Sequence, residues 1–449
     1  RGKRRGVMST RPVKLAKLLA AASLALAGAA LTAPLKSGAA AVTYSKDIAP
    51  ILYQRCASCH RPGEVAPFSL LGYRDAAKRA RQLAEVTRSR YMPPWKPEPG
   101  YGEFHDARRL KEEEIALIAR WAETGAVEGD PADLPPAPKF ADGWQLGEPD
   151  LVLEMAQPYM VKADGPDIYQ CFVVPMDLAG DRHVAAVEFR PGNRRVVHHA
   201  LFFLDTTGEA RRRDAADPEP GYRSFGGIGF LPTGGLGGWA PGAFPRFLPE
   251  GVARVLKRGS DLVLQMHYHP SGKPESDRSV LGVYFSKTPP RKVASFIPLV
   301  QRRLDIPPGE KRYRAAVAVT VPIDVEAFGI TPHMHLIGRE MKVTATLPDG
   351  ARVPLLWVKD WNFNWQDQYL YARPVRLPAG TRVEMEAHYD NSADNPRNPS
   401  DPPRRVGWGE QTTDEMALCG VQVVAANQAE LGRLLPEVVR QLMVDGLRK

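Results

Sequence analysis

The sequence predicts a multidomain protein in which a small all-α domain precedes two all-β domains. Glycine and proline contribute 81 of the 449 residues, about 18% against a usual ~12%, and so many turn formers favour short strands over a helical bundle. Hydrophobic residues at 43% and charged residues at 25% are typical of globular domains rather than disordered chains. Helical patterns dominate residues 43–130, and period-two patterns follow from Trp144 onward.

Residues 1–41 are predicted to be a signal peptide. A basic stretch ends at Lys17, an apolar run covers 18–33, and small residues at 39–41 offer a cleavage site before Val42. The run is short for a membrane span of ~20 residues, although an uncleaved anchor is the alternative. The mature protein is therefore expected to be periplasmic or secreted, with no stable membrane span after the leader is removed.

The net charge of +9 does not indicate a nucleic-acid partner. Residues 1–41 carry eight cations and no acidic residue, so the remainder of the chain has a net charge of only +1. Such a balance lacks the excess of cations that attracts nucleic acid or anionic membranes.

The predicted all-α domain covers residues 42–130 and contains a haem-attachment motif. Cys56 and Cys59 are spaced to bond the two vinyl groups of one haem, and His60 then places its imidazole against the iron. Residues 47–55 supply the helical context. A zinc site would need a second ligand pair nearby, and a disulfide redox motif would need a thioredoxin-like βαβ unit. The surrounding sequence has neither.

The sixth ligand of the haem iron is predicted to be Met92. It is the only methionine between His60 and the Pro-rich linker at 131–143, and a thioether ligand raises the reduction potential. His105 is the alternative ligand. The domain resembles a small monohaem cytochrome c, and its linker, at up to ~3.5 Å per residue, would let the haem swing toward the β part.

The β part is predicted to comprise two domains and a closing helix, at residues 144–308, 309–426 and 427–449. The break at Pro307-Pro308-Gly309 separates the two domains. Segments 341–347 and 353–358 flank Pro348-Asp349-Gly350, and this pattern predicts a β-hairpin.

Six of the ten histidines form three short clusters in the β part, namely His198 and His199, His267 and His269, and His333 and His335. Residues i and i+2 of a strand share a face, so His333 and His335 can bind one metal without distortion. The adjacent His198 and His199 share a metal only if a bulge or a strand end lies there. Imidazoles suit copper, zinc, iron or nickel, whereas an added thioether favours copper(I).

The β part resembles the copper type II, ascorbate-dependent monooxygenases, the family of peptidylglycine α-hydroxylating monooxygenase and dopamine β-monooxygenase. The resemblance covers residues 144–426 and depends on four segments, Val197–Phe203, Leu264–Tyr268, His333–Gly338 and Asp414–Met416. In that family two jelly-roll-like β-sandwich domains each hold one copper. The resemblance implies that His198, His199 and His267 bind an electron-transfer copper. It also implies that His333, His335 and Met416 bind the copper that activates dioxygen.

The resemblance implies an oxidoreductase that hydroxylates a C–H bond of a small substrate with O₂, using His333, His335 and Met416 as catalytic residues. Its cofactors would be two copper ions and one covalently attached haem c. Electrons would pass from an external donor, an ascorbate-like reductant or a periplasmic redox protein, through the haem to the first copper; the reverse direction stays open. The alternatives are a non-oxygenating haem and copper electron-transfer or copper-binding protein, and a zinc site, which Met416 disfavours.

Departures from the family pattern concern the substrate and the disulfides. Peptide-amidating members hold the peptide carboxylate with Arg, Asn and Tyr side chains, and the matching positions here are Thr331, Leu418 and Gly420. A bidentate carboxylate clamp cannot be built from these residues, so peptide amidation is not expected. Of the family's disulfide framework only Cys171 and Cys419 are available, and these two could pair in an oxidising compartment.

Overall fold

Mostly antiparallel strands are the main secondary elements of the structure, a computed structural model that describes residues 41–225 and 227–447. Strands account for 34% and helices for 16% of the described residues. The predicted signal peptide at 1–41 lies outside the described residues except for Ala41. From Val42 onward the chain forms one compact unit. No helix within the described ranges combines the length and apolar content needed to cross a membrane.

The helices lie mainly before the β part. In the described residues the α-helices are α1 (Ala49–Arg55), α2 (Tyr73–Ala77), α3 (Ala80–Arg88), α4 (Glu112–Glu123), α5 (Glu209–Ala216) and α6 (Leu431–Leu447). A π-helical turn at Tyr44–Ile48 precedes α1, and short 3₁₀ turns lie at Pro131–Asp133 and Gln428–Glu430. The last helix lies in the predicted closing segment, where the Asn427 side chain accepts a hydrogen bond from the Ala429 N–H.

The strands follow one another from residue 151 to residue 425. They are β1 (Leu151–Glu154), β2 (Tyr159–Val161), β3 (Ile168–Pro175), β4 (Arg182–Arg190), β5 (Val197–Asp205), β6 (Tyr222–Arg223), β7 (Gly234–Trp239), β8 (Val252–Leu256), β9 (Asp261–Tyr268), β10 (Glu275–Asp277), β11 (Val280–Phe285), β12 (Lys292–Val300), β13 (Asp305–Ile306), β14 (Tyr313–Thr320), β15 (Val325–His333), β16 (Gly338–Thr346), β17 (Arg352–Val358), β18 (Tyr369–Leu377), β19 (Arg382–Tyr389), β20 (Val406–Gly407) and β21 (Leu418–Ala425). The predicted hairpin at Pro348-Asp349-Gly350 is present between β16 and β17.

Three larger sheets organise these strands within the described residues. An eight-stranded sheet has the order β1-β11-β4-β8-β12-β21-β15-β18 and runs through both predicted β domains. A five-stranded sheet, β6-β3-β9-β5-β7, belongs to the first half of the β part. A four-stranded sheet, β14-β19-β16-β17, belongs to the second half. Two small pairs, β2 with β10 and β13 with β20, complete the arrangement.

Apolar side chains collect in separate clusters within this unit. One cluster includes Phe202 and Leu264 of the first β half, and a larger cluster includes Val343 and Met385 of the second. The helices before the β part bury a third cluster around Trp121. Alternating strand residues supply both β clusters, because successive side chains point to opposite faces of a sheet.

The predicted fold class, a small all-α cytochrome c domain followed by two all-β domains, is wrong. The structure is mostly β-sheet, and the described residues contain no separate N-terminal all-α cytochrome domain. The helical residues belong to the same compact unit as the strands.

The reason for this difference lies in the segment between α3 and α4. Its backbone forms bridges with the β part at Pro97↔Val358 and Phe104↔Tyr371. Trp95 also packs against the larger β core. These long-range contacts attach the helices to the sheet, and the helical periodicity of the sequence contains no sign of them.

Removing the Phe104 ring is expected to destabilise the whole unit. This ring stacks on Tyr371, with centroids 5.1 Å apart, and lies 5.4 Å from the Tyr369 ring. Phe104→Ala should lower the free energy of unfolding by about 2–4 kcal/mol, measured by chemical denaturation and circular dichroism. Phe296→Ala, at a ring that is 46% exposed, is the matched control and should change it by no more than ~0.5 kcal/mol. Equal effects would show that Phe104 does not anchor the helical segment.

Candidate metal centre

His198, His199 and His267, named here the first ligand set, meet on the adjacent strands β5 and β9. His199 lies opposite His267 in the antiparallel pairing, and the register shifts between Val197 and His199. A register shift of this kind is what would let adjacent histidines share a metal. The Nδ1 atom of His199 lies 3.3 Å from Nδ1 of His198 and 3.2 Å from Nδ1 of His267.

The spacing of these nitrogens fits a metal ion. Imidazole ligands at 2.0–2.1 Å from a tetrahedral ion have their nitrogens ~3.3 Å apart, which is the separation observed. Within the described residues these three histidines form the one group of three or more His, Cys, Asp or Glu side chains with such geometry. Burial lowers the pKa of His198 to about 3 and that of His199 well below its ordinary value. Neutral imidazoles therefore present lone pairs at physiological pH.

Asp167 contacts the first ligand set at His267, through the ring nitrogen Nε2. Its carboxylate lies 3.1 Å from Nε2 of His267 and 2.7 Å from Nδ1 of His269, and it accepts a 2.8 Å hydrogen bond from the Thr412 hydroxyl. Burial alone would raise the pKa of Asp167, but its contacts with His267, His269 and Thr412 outweigh burial and lower it. The Tyr169 ring stacks on His267 with centroids 4.3 Å apart. A carboxylate in this position fixes the ring and tautomer of a metal-binding histidine.

His333 and His335, with Met416, are named the second ligand set and present the opposite ring nitrogen. Nδ1 of His333 lies 2.5 Å from Oε1 of Gln366, and Nδ1 of His335 lies 3.1 Å from the Asp414 carbonyl oxygen. Both partners are acceptors, so each Nδ1 carries the proton and each Nε2 keeps its lone pair. The ring centroids are 5.1 Å apart. Burial lowers the pKa of His333 to about 4 and that of His335 to about 3.

The segment Asp414-Glu415-Met416 lies beside His335. The buried Glu415 carboxylate accepts hydrogen bonds from four backbone N–H groups, those of His335, Ile337, Gly338 and Met416. β15 pairs with β21 so that His333 lies opposite Leu418. His335 lies beyond the end of its strand, so the expected sharing of a strand face does not apply to it. Glu415 thus joins the backbone of Met416 to the backbone of His335.

Phe363 lies between the two ligand sets. Its ring stacks on His198 with centroids 4.8 Å apart, and its centroid is 5.7 Å from that of His335. Neither Phe363 nor Asp167 was predicted as a site residue, because no motif or spacing in the sequence relates them to the histidines.

The Cys-x-x-Cys-His motif follows α1 directly. The Cys56 carbonyl accepts hydrogen bonds from the N–H groups of Cys59 and His60, and both thiols are free and half-buried. Nδ1 of His60 lies 3.2 Å from the Phe68 carbonyl oxygen, which leaves Nε2 for a haem iron. Burial raises the pKa of the Cys56 thiol to about 12 and also raises that of Cys59. These thiols lack the low pKa of a disulfide-exchange motif.

The two candidate sixth ligands differ in their surroundings. Met92 lines a cavity of ≈ 210 Å³ whose walls include Arg90, Trp95 and Leu110 but none of the three motif residues. His105 is exposed. The assignment of Met92 to a haem iron stays a prediction.

Cys171 and Cys419 are both free and buried. They belong to different apolar clusters of the β part, and the structure contains no bond between them.

Comparison with known proteins yields no family model and no curated protein that matches this chain. Solved structures give weak matches. The VP2 subviral particle of infectious bursal disease virus has 8% identity and a TM-score of 0.18, covering 63% of this chain and 73% of its own. The major capsid protein P2 of bacteriophage PM2 has 6% identity and a TM-score of 0.24, covering 62% and 98%. PNGF-II has 10% identity and a TM-score of 0.26, covering 61% and 65%. Similarity at this level assigns the chain neither a fold family nor a function.

Replacing the Asp167 carboxylate is expected to weaken metal binding by the first ligand set. Asp167→Asn removes the charge that orients His267, and such changes lower metal affinity by roughly 10- to 100-fold. Anaerobic titration with copper(I) against a chromophoric chelator measures the effect. Asp164→Asn alters an exposed carboxylate three residues earlier and should leave the affinity unchanged. Equal affinities in both variants would show that Asp167 does not orient a metal ligand.

Proposed function

We propose that this chain is a copper-dependent monooxygenase that hydroxylates a C–H bond of a small substrate with O₂. The observation that carries the proposal is that one aromatic ring, Phe363, contacts an imidazole of each ligand set, His198 of the first and His335 of the second. The first set is a triad of imidazoles, and the second is an imidazole pair for which Met416 is the proposed third ligand. Two metal sites of different character, close together, suit a reaction that needs two electrons and one oxygen-binding site.

The first ligand set suits electron transfer. Nδ1 of His199 lies 3.2–3.3 Å from Nδ1 of His198 and of His267, and the Asp167 carboxylate lies 3.1 Å from Nε2 of His267. Imidazoles held in this way would bind a copper ion with little ligand movement between its two oxidation states.

The second ligand set suits oxygen chemistry. Two imidazoles and the soft thioether of Met416 favour copper(I), and three protein ligands leave a coordination position open. Gln366 and the Asp414 carbonyl hold His333 and His335 in the tautomer that exposes Nε2. Glu415 fixes the backbone that joins this pair to Met416.

The overall reaction balances as R–H + O₂ + 2e⁻ + 2H⁺ → R–OH + H₂O. Copper held by His333, His335 and Met416 would supply the O₂-activating chemistry, and copper held by His198, His199 and His267 would supply electron transfer. The chain's own residues hold neutral imidazoles in place and bury them wholly or in part. Their burial also limits the access of water to the site. Thr331, Leu418 and Gly420 offer no carboxylate clamp, so the proposed substrate is not the C-terminus of a peptide.

A covalently bound haem c is the proposed point at which electrons enter the protein. Cys56 and Cys59 would bond its vinyl groups and His60 would face its iron. The loop after this motif contacts the approach to the first ligand set, because Glu64 lies 3.4 Å from the Arg194 guanidinium, four residues before His198. An ascorbate-like reductant or a periplasmic redox protein would supply the electrons, in keeping with the proposed export of the protein.

The haem would not swing on a free linker as the sequence alone suggested. Arg61 stacks over the Phe140 ring at 4.2 Å, and the Gln145 amide donates a 3.4 Å hydrogen bond to Glu64. These contacts join the loop after the haem motif to Phe140 of the linker and to Gln145 just beyond it.

Removing the thioether is expected to abolish oxygen consumption. Met416→Ala deletes one predicted ligand of the oxygen-binding copper and leaves the first ligand set intact. Metal analysis of the purified protein should find two coppers in the wild type. Oxygen uptake with ascorbate should fall to background in the variant. Met160→Ala, at a side chain that is 59% exposed, should behave as the wild type.

Two results would count against this proposal. Unchanged oxygen uptake in Met416→Ala would overturn the assignment of the oxygen site. Bound copper and haem without any oxygen uptake would favour the electron-transfer alternative. Screening small molecules by mass spectrometry for the gain of one oxygen atom would then identify the substrate of an active protein.

Covalent haem attachment is expected to depend on both motif cysteines. Produced in a host that matures c-type cytochromes, the wild type should keep haem through a denaturing gel. The double variant Cys56→Ala/Cys59→Ala should lose it, because no thioether bond can form. Cys171→Ala removes a buried free thiol elsewhere and should retain haem. A wild type without covalent haem would overturn this part of the proposal and leave the copper assignment unaffected.

A further inference from the structure

The loop between β17 and β18, residues 359–368, contacts both ligand sets. Phe363, which is 8% exposed, stacks on His198 at an interplanar angle of 16° and meets His335 edge-on at 80°. The same ring thus contacts one imidazole from each set.

Other contacts of the same loop hold the Phe363 ring in place. The Trp361 indole N–H donates a 3.1 Å hydrogen bond to the His335 carbonyl oxygen. The Gln366 amide donates a 2.9 Å hydrogen bond to the Phe363 carbonyl oxygen and contacts His333 through Oε1. The loop therefore bonds to both histidines of the second set and reaches the first set through the Phe363 ring.

We infer that Phe363 is a positioning residue that couples metal binding at the two ligand sets. A metal bound by the first set would fix the His198 ring, and the Phe363 ring, stacked on it with centroids 4.8 Å apart, would change orientation with it. Phe363 in turn limits the orientations open to His335. Metal binding at one set therefore restricts the orientation of a histidine in the other set. Each set raises the metal affinity of the other by the same factor. This inference rests on the proposed function, since it requires metal at both sets.

The strength of the aromatic contacts of Phe363 determines the expected size of the coupling between the two sets. Stacked and edge-to-face aromatic pairs contribute beyond their buried area, and the range known for one pair corresponds to a factor on the order of 2 to 10 in affinity. Leucine keeps the apolar volume of Phe363 without a ring, whereas tyrosine keeps the ring. Asn364, the next residue of the loop, is exposed and offers a matched control.

The test compares copper(I) affinity at the second ligand set in two backgrounds. One background is the wild-type first set, loaded with copper. The other is His267→Ala, which disables that set without removing the His198–Phe363 stack. The ratio of the two affinities is the coupling factor. It should be about 2 to 10 with Phe363, near 1 in Phe363→Leu, and restored in Phe363→Tyr. Asn364→Ala should match the wild type.

The outcomes separate this inference from the proposed function. Copper binding at both sets with the same coupling factor in Phe363→Leu and the wild type would overturn the inference alone. Failure of either set to bind copper in the wild type would overturn both. Circular dichroism of the metal-free variants checks folding, and if Phe363→Leu is unfolded, Phe363→Ile replaces it under the same criteria.

Discussion

The two ligand sets can face each other because one sheet crosses both halves of the β part. β8 and β12 pair in parallel at Val252 with Lys292, and the Arg254 guanidinium adds a 3.0 Å hydrogen bond to Gln422 of β21. β8 is followed by β9, which carries His267, whereas β21 pairs with β15, which ends at His333. Strand pairing therefore determines the spacing of the two sets, which a flexible connection between domains would leave variable.

Features that depend on neighbouring residues could be predicted from the sequence. The turn at Pro348-Asp349-Gly350 joins two strands as its composition predicts, because proline and glycine restrict the backbone locally. The register shift beside His198 follows from the need of two adjacent side chains to reach one point. The three short histidine clusters also indicated where imidazoles would gather, although His335 lies beyond the end of its strand and the expected shared face does not explain its position.

Features that depend on distant residues could not be predicted. The helical segment was expected to stand apart, but Phe104 meets Tyr371 across 267 positions of the chain, and no local pattern reports such a pairing. Asp167 precedes its strand like many loop carboxylates, and its importance arises only from contact with His267. Phe363 has the composition of an ordinary core residue. Its significance comes from lying between two imidazoles that the fold brings together.

The two ligand sets differ in the ring nitrogen that they offer to a metal. A different amide side chain therefore reproduces the position of that nitrogen in each set. Nδ1, offered by the first set, lies at the same number of bonds from the backbone as the side-chain oxygen of asparagine. Nε2, offered by the second set, lies farther out, close to the reach of glutamine. Along this chain an Asn in place of His199 and a Gln in place of His335 would each preserve the position of a donor atom. Gln in place of His199, or Asn in place of His335, would instead displace the donor atom by about one bond length.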